Sequence, residues 1–438
     1  MSAWSRIRGS FWFLPALFCA IAVVLAEALI AVDQRVDELE LGPFGVLVNR
    51  IGESGSRDVL GAIAGSVLTV AATSFSITIA VLVTASSTYG PRLVRNFTAD
   101  RGNQFVLGVY AGTFLYSLLV LRSIRERSGE AFVPHLAVNV AVLLAVLSIA
   151  VLVYFINHIA DSVQVFTLAR QARTELLHAV DRLFPEELGR SAKDVADAEG
   201  GADVPAELAV DGVPVAADGV GYLQAVDDDQ LLKAAEAHDF VLVLPVRPGS
   251  HVLPGDALAV AWPADRLDDA AARRVRSCFL VTQARSPYQD VDFGVLVLEE
   301  MAVRALSPST NDPYTALNAL DDLAAGLVRL AGRPVPSGHR YDRSGRLRVV
   351  VPRPAVADLV GRVFDAMRLN ALPHPIVLHR TLELARQIGA ASCTPDLAGA
   401  LARHVARLVE AFERTGPQAC DLDDLRRHAA EVEHRLRA

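Results

Sequence analysis

The chain has 438 residues, 52% of them hydrophobic, with 50 acidic against 42 basic side chains and a formal net charge of −8. That length exceeds one compact core, so two or three domains are expected. The acids lie mostly in the C-terminal two thirds and no basic face gathers, which excludes a nucleic-acid-binding footprint. The four cysteines show no paired spacing and read as free thiols.

The hydrophobic excess is concentrated before Asp161. Ser5, Arg6 and Arg8 precede an apolar run from Phe11 to Val32 that is long enough to span a bilayer and has no small-x-small cleavage site, so it reads as an uncleaved first span with its N-terminus inside. Glu27 lies near the outer end, within snorkelling distance of the interface. The segment from Asp33 to Asp58 carries six acids against three arginines and suits an external loop.

The second span, Val59 to Ala85, has no ionisable side chain. Its roughly 27 residues make about 40 Å of helix, more than a hydrocarbon core requires. Ser66, Thr69, Thr73 and Ser76 recur at steps of three and four, and the same stripe continues to Ser87. Small and hydroxyl-bearing side chains mark close helix approach in lipid, and they also line pores; the spacing is compatible with a packing seam or a hydroxyl-lined path. Gly90-Pro91 breaks the helix, and Arg92, Arg95 and Arg101 follow. These arginines place that end in the cytoplasm by the positive-inside rule and offer a site for anionic lipid headgroups.

The third span is Phe105 to Leu121, with Gly108 and Gly112 as a close-approach GxxxG face, and the fourth runs from about residue 136 to 156. An even number of spans puts both termini in the cytoplasm. An amphipathic connecting helix is expected to Pro185, with Val163, Phe166, Ala169 and Leu177 on one face, then an acidic, flexible linker over 186–218. Residues 219–262 read as a small β-rich module: a short strand, a helix over Asp227 to Asp239, and strands broken by Pro-Gly turns. Residues 263–438 are mostly helical, with an isolated strand pair near Arg346 to Val351. The expected fold is therefore an α-helical membrane domain of four transmembrane helices (1–160), a connecting helix (161–185), and a cytosolic α+β region, mostly helical.

The densest local code in that region is Arg304-Ala-Leu-Ser307-Pro308-Ser-Thr-Asn311-Asp312-Pro313-Tyr-Thr315. Proline excludes α geometry from the residue before it, so Ser307-Pro308 ends one helix. Asp312 offers an N-cap carboxylate and Pro313 fits the first helical position of the next. The bland account is a capped corner. The functional account adds Arg304 and the free N–H groups there as an anion site, but Asp312 already occupies the place an anion would take.

The run Ser74 to Phe97, the Arg304 to Ala316 motif, QDVDFG at Gln289 to Gly294 and GYLQAVD at Gly221 to Asp227 resemble the uncharacterised bacterial membrane-protein family known as domain of unknown function 2254. The resemblance spans nearly the whole chain and implies a bacterial inner-membrane protein with an N-terminal membrane region, a cytosolic C-terminal region and no established activity. Ser309-Thr310 departs from the glycine and aliphatic residue expected in the second motif.

The sequence has no P-loop, HExxH, CxxC or strand-linked GxGxxG, and its eleven histidines are scattered and read as lone surface side chains. No catalytic residue, metal site or cofactor is expected, and the chain is not expected to be an enzyme. Two functions remain. One is a homo-oligomeric channel or small-solute pathway, with the second span lining it, the arginines at its cytoplasmic mouth and the C-terminal region regulating it. The other is a membrane-anchored scaffold or sensor without conduction.

Overall fold

The computed structural model describes residues 12–36, 53–89, 101–127, 130–162, 165–185, 211–352 and 355–437. They fall into two compact units, dividing between Leu168 and Ala169.

The first unit is built from helices α1 (Phe13–Val36), α2 (Glu53–Tyr89), α3 (Arg101–Ser123) and α4 (His135–Ser162), with a short hairpin, β1 (Arg125–Arg127) and β2 (Glu130–Phe132), joining the last two. All four helices are long and apolar enough to cross a membrane. They outrun the apolar stretches because helix continues into the charged flanks: before the uncharged part of α2, Glu53 and Arg57 form an i,i+4 ion pair at 3.1 Å.

Consecutive helices run in opposite directions, and polar contacts tie their ends. Asp33, near the end of α1, accepts the backbone N–H groups of Leu136 and Ala137 at 3.1 and 3.0 Å, capping α4 from another helix. Arg57, at the start of α2, donates to the carbonyl of Ile124 just beyond α3, 3.1 Å away.

α3 is the central helix. It packs on the other three and buries Val106, Tyr110, Tyr116 and Val120 together with the polar Asn103, Thr113 and Ser117. The expected glycine face is where α3 meets α1: a Cβ added at Gly108 would lie 2.9 Å from the Phe18 ring, and one at Gly112 would lie 3.3 Å from the Phe18 carbonyl oxygen. Two of its buried hydroxyls are satisfied within the bundle, Tyr116 donating to the carbonyl of Ala137 at 2.9 Å and Ser117 to that of Thr113 at 2.8 Å.

The connecting helix α5 (Val165–Leu183) contributes a buried stripe to the C-terminal unit from Ala169, Ala172, Leu176, Ala179 and Val180. Ala169 was expected there; Leu177 is only half-buried and Leu176 takes its place, because the stripe advances by three and four from Ala169. Leu176 is wedged into a notch between Gly294 and Gly326, where added Cβ atoms would sit 3.1 and 2.2 Å from its methyl carbons. Ion pairs flank the wedge, Arg173 to Asp322 at 2.9 Å and Asp181 to Arg329 and Arg333 at 3.1 Å each.

Two sheets follow. The larger has five strands in the order β3 (Val213–Ala216), β7 (Ala257–Trp262), β5 (Val241–Val243), β10 (Leu347–Val350), β9 (His339–Tyr341); the smaller has β6 (His251–Val252), β4 (Gly221–Val226) and β8 (Phe279–Thr282). β10 runs parallel to β5, pairing Val349 with Leu242 and Val350 with Val243, and every other pairing is antiparallel.

The β-rich part is thus wider than residues 219–262. It takes β3 from the expected linker, β8 from the helical stretch and β10 from the supposedly isolated strand pair. Each is four residues long, too short for alternation to stand out beside helical neighbours. Helix α6 (Asp228–His238) crosses between β4 and β5, opened by Asp227, whose side chain accepts the N–H of Gln230 at 3.0 Å, and closed by Asp239 in the left-handed region at φ 50°. Helix α7 (Asp269–Arg276) is shorter than the Pro263 to Cys278 stretch expected, because Asp268 restarts the chain as an N-cap.

Helices α8 (Val291–Ala305), α9 (Pro313–Ala331), α10 (Val356–Asn370), α11 (Pro375–Ala391), α12 (Pro395–Glu413) and α13 (Ala419–Arg437) complete the unit, with α11 packed between α9 and α13. Their apolar stripes are fully buried, Leu320, Leu382, Leu401 and Leu425 among them. The expected linker over 186–210 lies outside the described residues.

Candidate functional site

Three candidate regions can be built from their residues. On α2, the side chains buried against the bundle include Leu60, Ile63, Ala64, Val67, Ser74 and Thr78, whereas Ser66, Thr69, Thr73 and Ser76 are exposed on the surface of their unit. The stripe therefore does not pack against the chain's own spans.

Most of its hydroxyls are internally satisfied. Ser66 donates to the carbonyl of Ala62 at 2.7 Å, Thr69 to that of Gly65 and Thr73 to that of Thr69, both at 2.9 Å. The side chain of Ser87, and Arg92 and Arg95 entirely, lie outside the described residues. Arg101 is the first residue of α3 and is exposed.

The second region is the corner between α8 and α9, and it forms as a cap. Asp312 accepts the backbone N–H of Thr315 at 3.0 Å and its hydroxyl at 2.5 Å. Those two bonds, the hydroxyl's first, hold the carboxyl below its ordinary value. Asn311 turns the chain at φ 49°, a left-handed conformation that asparagine tolerates. The N–H groups of Thr310 and Asn311 are donated to the carbonyl of Ser307, that of Asp312 to Ala305, and the hydroxyl of Ser307 to the carbonyl of Arg304. Arg304 is paired with Glu300 at 3.0 Å. Pro308 is exposed and Pro313 opens α9. With these amides already donated inside the corner, the motif has its complete explanation as a helix stop and restart.

The third region was not anticipated as a site, although the sequence marked its residues. QDVDFG opens α8 beside a cavity of about 180 Å³ within the C-terminal unit. Gln289 locks the end of β4 by accepting the N–H of Val226 at 2.8 Å and donating to its carbonyl at 3.0 Å. Asp290 is the N-cap of α8, accepting the N–H of Phe293 at 3.0 Å, and is buried against Arg285 in a two-pronged ion pair at 2.8 and 3.0 Å. Asp292 is held by Arg285 at 3.2 Å and by Arg362.

Gly249 closes over this cluster. At φ 93°, a Cβ there would lie 2.4 Å from an Asp290 carboxylate oxygen, so glycine is required for both conformation and approach. Both acids of the run are thus neutralised by Arg285 and Arg362. Arg247, at the cavity wall and exposed to solvent, makes no side-chain hydrogen bond or ion pair among the described residues. Burial, with the charges of Arg285 and Arg247 added, pushes Arg362 below its ordinary value. The remaining wall is largely apolar, from Phe184, Leu244, Val246, Val291, Val351 and Leu359. Arg285 is a near neighbour of Asp290 in sequence, but Gly249 and Arg362 join the cluster only through the fold.

The histidines also differ from the expectation of lone side chains. His379 on α11 and His428 on α13 stack at 5.3 Å, with their Nδ1 atoms 3.0 Å apart. Burial first, then His428, lowers the His379 pKa. Among the described residues no three potential metal ligands gather.

Comparison with known proteins gives the family without an activity. An uncharacterised protein of Mycobacterium tuberculosis (strain H37Rv) and one of Mycobacterium bovis are each 32% identical over 418 residues, covering 93% of this chain and 77% of the relative. No solved structure matches. The family described as "Predicted membrane protein (DUF2254)" matches residues 8–387. With four membrane-crossing helices and that match over most of its length, the chain belongs to the DUF2254 family of membrane proteins.

Proposed function

We propose that this protein is a membrane-anchored small-molecule receptor: the C-terminal unit holds a ligand in the cavity at the start of α8, and the four spans fix it in the bacterial inner membrane. The observation that carries this is a preformed, largely apolar cavity of about 180 Å³ with Arg247 on its wall, a guanidinium without a hydrogen bond or ion pair among the described residues. Ligand sites are typically concave and mostly apolar, with few placed polar groups. In this reading both termini and the C-terminal unit are cytoplasmic, supported by Arg92, Arg95 and Arg101 after the second span. Those arginines also suit anionic lipid headgroups.

The test is a thermal-stability screen of the purified full-length protein against soluble metabolites, repeated on Val246→Phe, which fills the cavity. A compound that stabilises the native protein and not the filled variant supports the reading. A screen in which both proteins respond alike sinks it.

A second reading, a homo-oligomeric channel or small-solute pathway, is favoured by the α2 hydroxyl stripe turned away from its own bundle. Copies assembled through α2 would bring Ser66, Thr69, Thr73 and Ser76 to one shared surface. Cysteines at Thr73 and Ser76 should react with a small aqueous thiol reagent if the stripe is wet. Silence at both positions, together with a monomer in mild detergent, removes this reading.

A further inference from the structure

We propose, building on the receptor reading, that the ligand is a small amphipathic carboxylate whose acid group binds Arg247 and whose apolar body, about six to eight carbons, fills the cavity. Size sets the body. An apolar cavity of about 150 Å³ admits benzene, and this one measures about 180 Å³. Nucleotides and sugars of several rings are too large for it.

Charge sets the head. Asp290 and Asp292 would favour a cation if they were unpaired, but Arg285 grips both and Arg362 shares the second. Arg340, also on the wall, donates to the carbonyls of Ser337 at 2.6 Å and His339 at 3.2 Å, which leaves its positive charge in place. Asp228 is the remaining acid on the wall, and burial raises its pKa against the pull of Arg340. The four guanidiniums of Arg247, Arg285, Arg340 and Arg362 therefore stand against three carboxyls, with Arg247 the one whose side chain has no hydrogen bond or ion pair among the described residues. A planar carboxylate matches the guanidinium fork in two parallel hydrogen bonds.

The probes are benzoate, benzyl alcohol and benzylamine, which share one body and differ in charge. Each is titrated calorimetrically into the full-length protein in mild detergent, with Val246→Phe as the filled reference. Benzoate should bind the native protein, bind at least roughly tenfold more weakly to Arg247→Gln, as a hydrogen bond to a charged group is worth, and recover in part with Arg247→Lys. Benzyl alcohol should bind at least tenfold more weakly than benzoate. Equal binding of the alcohol and benzoate, preference for the amine, or indifference to Arg247→Gln overturns the carboxylate assignment while leaving the cavity a binding site. If none of the three binds but a screened compound distinguishes native protein from Val246→Phe, the ligand class is overturned and the receptor reading stands. If none binds and the screen is empty, both fall.

Discussion

Replacing Asp312 separates a cap from a charge. Its carboxylate carries two bonds at the start of α9, from the N–H of Thr315 at 3.0 Å and from the same residue's hydroxyl at 2.5 Å. Asp312→Ala removes both. Loss of an N-cap costs about 1 kcal/mol, and the half-buried hydroxyl left without that acceptor adds about 0.5 kcal/mol, together close to a tenfold change in a local opening equilibrium. Asp312→Asn keeps one oxygen for the N–H but puts a donor NH2 where the other oxygen accepted the Thr315 hydroxyl, so it loses that bond, about 0.5 kcal/mol, and the charge at the helix N-terminus, about 0.5 kcal/mol, together roughly a factor of five. Hydrogen exchange at the amides of Thr315 and Ala316 reads these factors directly.

A pH arm follows from the depressed carboxyl. Because the folded value lies below the ordinary 3.8, the stabilisation is fully present above that value and is lost as pH falls through the folded one. The gap between native and Asp312→Asn proteins should close on acidification. If Asp312→Asn is as damaging as Asp312→Ala at neutral pH, or Asp312→Ala exchanges like the native protein, the capping argument is wrong.

Other expectations are equally direct. Leu176→Ala should destabilise the C-terminal unit by about 2–5 kcal/mol, as emptied core sites do; Gly326→Ala should lower the melting temperature of the native protein, where the new methyl meets Leu176, and raise it in the Leu176→Ala background, where helix propensity alone remains. Gly249→Ala should cost more than the roughly 1–2 kcal/mol of a left-handed alanine, because its Cβ must also displace the Asp290–Arg285 pair, and chemical denaturation should show the loss. Asp33→Ala should lower the melting temperature in detergent through two orphaned amides, about 1–3 kcal/mol each, with Asp33→Asn retaining part of the loss; unchanged melting for Asp33→Ala would remove the cross-helix cap.

The four spans were legible in the sequence because burial in lipid demands long apolar runs, and charged flanks only blur their ends. The Asp312 corner was legible too, since caps are written in adjacent residues. Direction was harder. The 3.5-residue spacing of Ser66, Thr69, Thr73 and Ser76 defines a stripe but not what it faces, and the fold buries the neighbouring Ser74 and Thr78 instead. The cavity cluster was least legible. Asp290 meets Arg285 five residues away, but Gly249 and Arg362 arrive from β-turn and helix far along the chain, and β10 joins β5 across about a hundred residues. Pairings at that separation are products of sheet order, which local periodicity does not encode.

The carboxylate of Asp33 has a consequence for how the membrane unit is made. A chain synthesised from its N-terminus inserts α1 first and α4 last. When α4 arrives, the acceptor for its first amides is already waiting at the far end of α1. The last helix is thereby told both where to begin and which neighbour to join, so the bundle carries its own assembly check: a chain that threads α4 in the wrong sense leaves an acid without donors and a helix start without an acceptor, on opposite sides of the membrane.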